Sequence, residues 1–153
     1  KQLVMLDEKI RTLIREDENL YGQQQLLKSI PGIGDITSVY ILMATKGFTA
    51  FTSGRNFACY SGVAPFEHSS GTSIKGKTRV SHLADKKMKT LLHMASLTAI
   101  KYDPELKDYY NRKKAEGKHT MLVLNNIKCK MVYRIFAVIQ RKSNFVNLHK
   151  FAA

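Results

Sequence analysis

Apolar residues recur at intervals of three and four along most of this chain, which is the period of an amphipathic α-helix. The clearest case predicts a helix over residues 120–141. Its apolar positions, available for a core, are Leu122, Leu124, Ile127, Met131, Ile135 and Val138. The sequence shows no convincing set of alternating β-strand segments, no internal repeat and no low-complexity tract. It therefore predicts an all-α, compact helical domain.

The N-terminal segment has the same period, with charges of both signs at the remaining positions. Its apolar positions are Leu3, Leu6, Ile10, Leu13 and Leu20. Asp17 stands where a further apolar residue is expected. This pattern predicts a coiled-coil-like helix over residues 1–22. Such a helix either pairs with the same helix of a second copy, which would make a homo-oligomer, or lies on the main domain.

A tight turn is predicted between two helical segments within residues 26–45. Pro31 ends the first helix, Gly32 and Gly34 permit the turn, and Ile33 plugs the gap between the helices. The Pro-Gly-Ile-Gly core resembles the helix-hairpin-helix motif, whose second helix offers backbone N–H groups to a DNA phosphate. Gly32, Ile33 and Gly34 are therefore candidate DNA contacts. The alternative is a buried hairpin without a ligand, because Asp35 at the second helix would repel phosphate.

The helical domain is assigned to residues 23–145, and a frayed tail over residues 146–153 follows it. Capping and turn residues divide the rest of this domain into helices. Ser53 is a predicted N-cap, and Asp103 followed by proline is another. The predicted helices run from Ser53 to the closing Gly62, from Ser81 to about Lys101, and from Asp103 to the stop at Gly117.

Residues 65–80 form a loop rich in glycine, hydroxyl and cationic side chains. Ser69 and Ser70 stand together before Gly71. The cations of this loop are Lys75, Lys77 and Arg79. Flexible backbone beside fixed positive charge favours contact with an anion. The plainer interpretation is a surface loop in which the spacing of these residues arose by chance.

The same loop fits a nucleotide-binding pattern, because Gly71 to Thr78 matches G-x-x-x-x-G-K-[ST] letter for letter. That pattern binds phosphate only where a buried strand precedes it and a helix opens directly after it. The residues before Gly71 are not a hydrophobic strand, and alternating strand and helix units are missing. A nucleotide hydrolase is therefore the less favoured hypothesis.

The formal net charge of +13 at pH 7 and the pI near 9.8 point to a polyanionic partner, of which nucleic acid is the commonest. DNA is the expected partner. Lys86, Lys87 and Lys89, just after the loop, are added to the candidate DNA contacts. No apolar segment is long enough to span a bilayer, so no membrane partner is expected. We predict a cytoplasmic, nucleoid-associated location.

Cysteine and histidine spacing indicates no metal site in this chain. Cys59 and Cys129 lie far apart in the sequence, and the five histidines are scattered. Reduced thiols are expected, with no disulfide framework.

The order of these motifs resembles one family. The Pro-Gly-Ile-Gly hairpin is followed by Gly62-Val63-Ala64-Pro65, then by Ser70-Gly71 in a glycine- and lysine-rich loop, and then by a lysine-rich helix. This order is similar to that of the C-terminal transposase domain of the IS one-ten / IS eleven-eleven insertion-sequence recombinases, to which the Piv/MooV-type DNA invertases belong. The resemblance covers roughly residues 26–145.

This resemblance implies a transposase or DNA recombinase in which Ser70 attacks a DNA phosphodiester and forms a transient phosphoserine link. In that family a RuvC-like N-terminal domain binds divalent metal, here expected to be Mg²⁺, and completes a composite active site. A structured guide RNA is a further partner that the resemblance implies. No RuvC-like half is present in this sequence, so this chain alone is expected to be inactive.

The sequence departs from the family pattern at two positions. Ala84 and Lys89 stand where the family has a glycine and an arginine, and lysine lacks the bidentate guanidinium of arginine. Ser69 also competes with Ser70 for the role of nucleophile. A non-enzymatic nucleic-acid-binding module built on the helix-hairpin-helix element is the alternative function.

Overall fold

The computed structural model describes residues 2–64, 69–70, 74–75 and 84–147. These residues form seven helices and one pair of two-residue strands. The helices are α1 (Gln2–Glu16), α2 (Glu18–Lys28), α3 (Asp35–Thr45), α4 (Gly54–Tyr60), α5 (Lys86–Tyr102), α6 (Pro104–Ala115) and α7 (Thr120–Arg141). The strands are β1 (Ser69–Ser70) and β2 (Ile74–Lys75), which pair antiparallel. The predicted all-α, compact fold is confirmed.

Helix α7 is the central element of the core, since it packs against α2, α4, α5 and α6. Its buried stripe includes Val123, Ile127 and Met131, each four residues from the next. Leu122, predicted as a core residue, is 52% exposed. One residue along a helix turns the side chain by about 100°, so Val123 occupies the stripe and Leu122 points outwards.

The N-terminal segment is two helices, not the single helix predicted over residues 1–22. Helix α1 ends at Glu16, and the Asp17 carboxylate accepts hydrogen bonds from the backbone N–H groups of Asn19 (2.9 Å) and Leu20 (3.0 Å). Asp17 is therefore the N-cap of α2. An aspartate at this position favours a new helix start over continuation because its side chain satisfies N–H groups that have no partner within the helix.

The turn between α2 and α3 packs closely against α5. Helix α2 ends at Lys28, earlier than the Pro31 boundary predicted, and Ile30 beyond it is buried. Gly32 has φ +95°, and a Cβ built there would lie 2.3 Å from the carbonyl oxygen of Ala95. The turn can approach α5 this closely only because residue 32 has no side chain.

Most predicted helix ends agree with the structure. Ser53 caps α4 and Asp103 caps α6, which begins with proline, and α7 has the predicted bounds. The exception is α5, predicted from Ser81 but observed from Lys86. Ala84 is not helical and Asp85 is the N-cap, while Ser81 itself lies outside the described residues. Residues 148–153 of the predicted tail also lie outside them.

Candidate nucleic-acid interface

The backbone of Ser70 lies in the short hairpin between α4 and α5. Ser69 pairs with Lys75, and Ser70 pairs with Ile74. The backbone of the predicted nucleophile is therefore adjacent in the ladder to that of a predicted cation. The side chains of Ser70 and Lys75, and the whole of Lys77 and Arg79, lie outside the described part of the chain.

This pairing is not the arrangement that a nucleotide hydrolase requires. Ile74 and Lys75 lie inside the G-x-x-x-x-G-K-[ST] match, and they pair back onto Ser69 and Ser70 in an antiparallel hairpin. The phosphate loop of those enzymes instead follows a buried strand of a parallel sheet. The structure thus disfavours the nucleotide-binding interpretation.

Two anchors hold the ends of this loop, and the first is at the end of α4. The N–H of Val63 donates to the carbonyl oxygen of Ala58 (3.0 Å), and Val63 is fully buried. The side-chain amide of Asn125, on α7, donates to the carbonyl oxygen of Val63 (2.8 Å). Helix α7 therefore fixes the point at which the loop leaves the core.

The second anchor is Asp85, where the loop enters α5. Its N–H donates to the carbonyl oxygen of Tyr60 (2.9 Å). Its carboxylate accepts hydrogen bonds from the Tyr60 hydroxyl (2.8 Å), the Tyr40 hydroxyl (3.1 Å) and the Met88 N–H (2.9 Å). This one side chain joins α3, α4 and α5, and with Val63 it brings the two ends of the loop to neighbouring elements. Sequence reasoning missed both anchors.

The contacts at Asp85 also set its charge. Burial acts to raise the pKa of Asp85, but the hydrogen bonds from Met88, Tyr60 and Tyr40 outweigh burial, so the pKa lies below its ordinary value. In return, the hydrogen bond to Asp85, together with burial, raises the pKa of Tyr60 to about 12. Asp85 is an anion with its acceptor sites occupied, and Tyr60 stays a neutral donor.

A second candidate site is the start of α3, at the predicted helix-hairpin-helix turn. Ile33 is buried, and its N–H donates to the carbonyl oxygen of Ile30 (3.1 Å). Gly34 is the N-cap residue and offers no side-chain cap to α3. Any phosphate at this turn would therefore meet the backbone beyond Gly34, since Gly32 and Ile33 face the core.

Asp35, expected to repel phosphate at this turn, is neutralised by two cations. Its carboxylate lies 2.6 Å from Nζ of Lys28 and 3.4 Å from a guanidinium nitrogen of Arg11. The hydrogen bond from Lys28 is the main cause that lowers the pKa of Asp35. A polar pocket of about 210 Å³ opens here, lined by Arg11, Arg15, Tyr21, Gln24, Gln25, Lys28 and Asp35. Arg11 and Arg15 were missed because the sequence predicted that α1 pairs with a second copy or lies on the main domain, without showing that it lies beside this turn.

The lysines after the loop differ in exposure. Lys86 and Lys87 are exposed, whereas Lys89 is half-buried. The structure adds Lys128 of α7, which is only 3% exposed. A signal for it was present in the sequence: Lys128 lies four residues after Leu124 and one after Ile127, within the apolar stripe of α7.

The described residues offer neither a metal site nor a membrane-spanning helix. Within residues 2–64, 69–70, 74–75 and 84–147, no three His, Cys, Asp or Glu side chains form a group that could hold a metal ion. None of the helices in this described part is long and apolar enough to cross a membrane. Cys59 and Cys129 are free thiols.

Comparison with known proteins gives a consistent set of similarities. Residues 24–111 match the model of the Transposase IS116/IS110/IS902 family. The chain is 29% identical to the pilin gene-inverting protein of Moraxella bovis over 144 residues, which are 94% of this chain and 45% of that protein. It is 33% identical to the uncharacterized 42 kDa protein of insertion element IS900 from Mycobacterium paratuberculosis, over 81% of this chain and 32% of that protein.

A third similarity is to the uncharacterized 43.6 kDa protein of insertion element IS110 from Streptomyces coelicolor. The identity is 33% over 100 residues, which are 65% of this chain and 24% of that protein. The chain thus spans less than half the length of each of these curated relatives.

Proposed function

The chain belongs to the Transposase IS116/IS110/IS902 family, and from this premise we propose that it binds DNA and supplies Ser70 as the nucleophile of a DNA recombinase. The observation that carries the proposal is the pair of anchors at Val63 and Asp85. They hold the ends of the Ser70 loop on neighbouring helices, beside the lysine-rich start of α5. A rigid base under a cationic loop suits the presentation of a hydroxyl to a DNA strand.

The proposed reaction is a transesterification. The Oγ atom of Ser70 loses its proton and forms a bond to phosphorus, while the bond from phosphorus to a sugar oxygen breaks. That oxygen takes up a proton, which balances the one that the serine loses. A hydroxyl of a second DNA strand then displaces the serine oxygen and restores a phosphodiester. No external energy source is needed, because one phosphate ester is exchanged for another at each step.

The family resemblance implies a divalent metal, and the described residues of this chain do not fit one. They contain no group of three or more His, Cys, Asp or Glu side chains that could hold a metal ion, and the oxygens of Asp85 already accept hydrogen bonds from two tyrosines and a backbone N–H. We propose that Mg²⁺ is held by a RuvC-like domain outside this sequence, and that this chain alone is inactive.

Helix α1 is proposed to pair with α1 of a second copy, so that the active sites form in an oligomer. Several of its apolar side chains are more than half exposed: Leu3, Val4, Met5, Leu6 and Leu13. Replacement of Leu6 by glutamate should shift the chain to a monomer in sedimentation, while Lys9→Glu on the same helix should not. A structured guide RNA is proposed as a further partner, in a cytoplasmic, nucleoid-associated setting.

The test of the nucleophile uses the full-length recombinase. Ser70→Ala should abolish the covalent protein–DNA adduct and strand transfer, with the Kd for DNA unchanged within about twofold. Ser69→Ala is the matched control and should retain the adduct. If Ser70→Ala retains the adduct and Ser69→Ala loses it, the nucleophile is Ser69; an adduct in both would remove these serines from the chemistry.

A second candidate function is a non-enzymatic helix-hairpin-helix module. The polar pocket at the start of α3, with Arg11 and Lys28 beside uncapped backbone, favours it. This hypothesis predicts salt-dependent DNA binding and no covalent adduct from the full-length protein under any condition. Adduct trapping therefore separates the two functions.

A further inference from the structure

Tyr109 of α6 lies at the contact between α6 and α7, with a cation from each helix beside its ring. The guanidinium carbon of Arg112 is 5.8 Å from the centroid of the ring, and Nζ of Lys130, on α7, is 5.0 Å from it. The side-chain amide of Asn126, also on α7, donates to the Tyr109 hydroxyl (3.4 Å). The tyrosine therefore holds two positive side chains close together at the surface where the two helices meet.

The charge around this tyrosine is strongly positive. Lys130 and Arg112 are exposed, and neither forms an ion pair with any residue that the structure describes. Helix α7 contains no acidic residue. Residues 107–118 carry five lysines and arginines against the two carboxylates of Asp108 and Glu116. A surface with this excess of positive charge is complementary to a polyanion.

The exposed side of α7 continues from Lys130 to an aromatic ring. Asn126, Lys130 and Tyr133 are spaced by four and three residues, so they follow one another along one side of the helix, here called the outer face of α7. Tyr133 is 52% exposed. Its ring packs against the start of α4, because a Cβ built at Gly54 would lie 3.3 Å from Cδ1 of Tyr133. A ring that is held in place and half open to solvent can stack on a nucleic-acid base.

The outer face of α7 begins beside the first anchor of the Ser70 loop. Asn126 directly follows Asn125, whose side-chain amide donates to the carbonyl oxygen of Val63 (2.8 Å). From Asn126 to Tyr133 the helix rises by about 10 Å. A stacked strand advances about 3.4 Å per phosphate, so about three nucleotides fit along this length.

From these contacts we infer that the outer face of α7, together with Tyr109 and Arg112 of α6, binds a single DNA strand. The inference rests on the proposed function, which supplies the DNA. Lys130 and Arg112 contact phosphates of the strand, and Tyr133 stacks on one of its bases. A duplex keeps its bases paired and stacked on each other, so a half-exposed tyrosine between cations fits a single strand better.

The first experiment removes one positive charge at a time and measures the Kd of the chain for a labelled oligothymidylate. Lys130→Gln and Arg112→Gln should each weaken binding about fivefold, and the slope of log K against log salt should fall by about 0.7. Arg141→Gln, an exposed cation at the other end of α7, is the matched control and should stay within about twofold of the wild type. Equal losses in the three variants would overturn the inference, since only general charge would then act.

The second experiment leaves the net charge unchanged and removes the rings. Tyr109→Leu should weaken binding several-fold, because Lys130 and Arg112 lose the ring that holds them, whereas Tyr109→Phe should bind like the wild type. Tyr133→Leu should weaken binding about tenfold without a change in the salt slope, and Tyr102→Leu, at an exposed tyrosine of α5, is its control. Normal affinity in both Tyr109→Leu and Tyr133→Leu would contradict the inference. The charge variants are at exposed positions and keep the test valid should a tyrosine variant unfold.

The third experiment identifies the occupant by repeating these titrations with oligouridylate RNA and with duplex DNA. Lys130→Gln and Tyr133→Leu should reduce the affinity for the single DNA strand more than that for either competitor. If they weaken RNA binding and leave the DNA strand unaffected, the surface serves an RNA and the assignment to DNA is refuted. A larger loss for duplex than for single-stranded DNA would refute the single strand.

The failure of this surface and the failure of the proposed function give different results. If Ser70→Ala keeps the covalent adduct in the full-length recombinase while Lys130→Gln and Tyr133→Leu lose affinity, the strand-binding surface stands and the serine chemistry falls. If Ser70→Ala loses the adduct while Lys130→Gln and Tyr133→Leu bind the DNA strand normally, the nucleophile stands and the surface is refuted.

Discussion

Two helices of this protein begin with an aspartate beside lysine or arginine, and the two junctions use the aspartate differently. At the start of α3, Asp35 is partly exposed and its charge is taken up by Lys28 and Arg11. At the start of α5, Asp85 is held by two tyrosine hydroxyls and backbone N–H groups, although lysines follow it directly. The first junction uses its cations in ion pairs, whereas the lysines of the second form no ion pair with any of the described residues.

We propose that this difference separates a basic region with a structural role from one that binds phosphate. Charge that is already paired inside the protein adds little to the affinity for a polyanion, because a phosphate must compete with the carboxylate. Within the part of the chain that the structure describes, Lys86, Lys87 and Lys89 form no ion pair, so no carboxylate there competes with a phosphate for them. The comparison therefore favours the base of the Ser70 loop over the α2–α3 turn as the main phosphate site.

The strongest test of a structural role for the α2–α3 junction is Gly32→Ala. The new Cβ would clash with the backbone oxygen of Ala95, and the residue would keep a positive φ, so we expect a loss of roughly 3 kcal/mol in the free energy of unfolding. Urea titration measures it. Gly34→Ala is the matched control, since its Cβ meets open space, and should cost less than about 1 kcal/mol. Equal losses would mean that the turn does not depend on its contact with α5.

The α5 junction is tested by Asp85→Ala. This change removes an N-cap and leaves two tyrosine hydroxyls without their acceptor, so we expect a loss of about 2 kcal/mol. Asp17→Ala removes an exposed N-cap with no tyrosine partners and should cost about 1 kcal/mol. Thermal unfolding compares the two. A smaller loss for Asp85→Ala than for Asp17→Ala would show that Asp85 does not anchor the loop.

Lys128→Met tests how partial burial of a lysine on α7 affects the free energy of unfolding. It should stabilise the chain by up to about 1 kcal/mol, because the folded state disfavours the charged form of Lys128 through partial desolvation. The folded pKa of Lys128 is below its usual 10.5, so the unfolded chain binds more protons and wild-type stability rises with pH through this window. The advantage of the variant should therefore be full below the folded pKa and vanish as pH approaches 10.5. A lower stability than that of Lys130→Met would contradict this account.

The smallest expected effect concerns Asp35→Asn. Its ion pairs are partly exposed, so the free energy of unfolding should change by less than about 1 kcal/mol. The affinity for DNA should rise several-fold, because Lys28 and Arg11 become free to meet phosphate. Glu116→Gln, which also removes one exposed carboxylate, controls for net charge. An equal rise in both variants would mean that the α3 junction contributes only general charge.

Local patterns in the sequence predicted much of the fold. The bounds of α7, the caps at Ser53 and Asp103 and the all-α class follow from periodicity and capping chemistry, which depend on neighbours in the chain. Asp17 was read as a break in the N-terminal pattern and not as a helix start. That error arose because a single polar residue at an expected apolar position is compatible with two structures. It can interrupt one continuous helix, or it can be the N-cap of a second helix.

The candidate site was only partly predictable. Lys86, Lys87 and Lys89 stay predicted DNA contacts, as do Ser70 and the other loop residues. The contacts of Asp85 with Tyr40 and Tyr60 could not be derived. Each joins residues tens of positions apart, and no local pattern shows which helices meet.

By itself the amino-acid sequence determined the helical class of this protein, most helix ends and its positive charge, because these depend on short-range propensity, capping and composition. Only the tertiary structure decided that Gly32 lies against α5 and that Asp85 joins three helices. Those features exist only once α3, α4 and α5 pack together, since contacts between distant parts of the chain are not encoded in any local pattern.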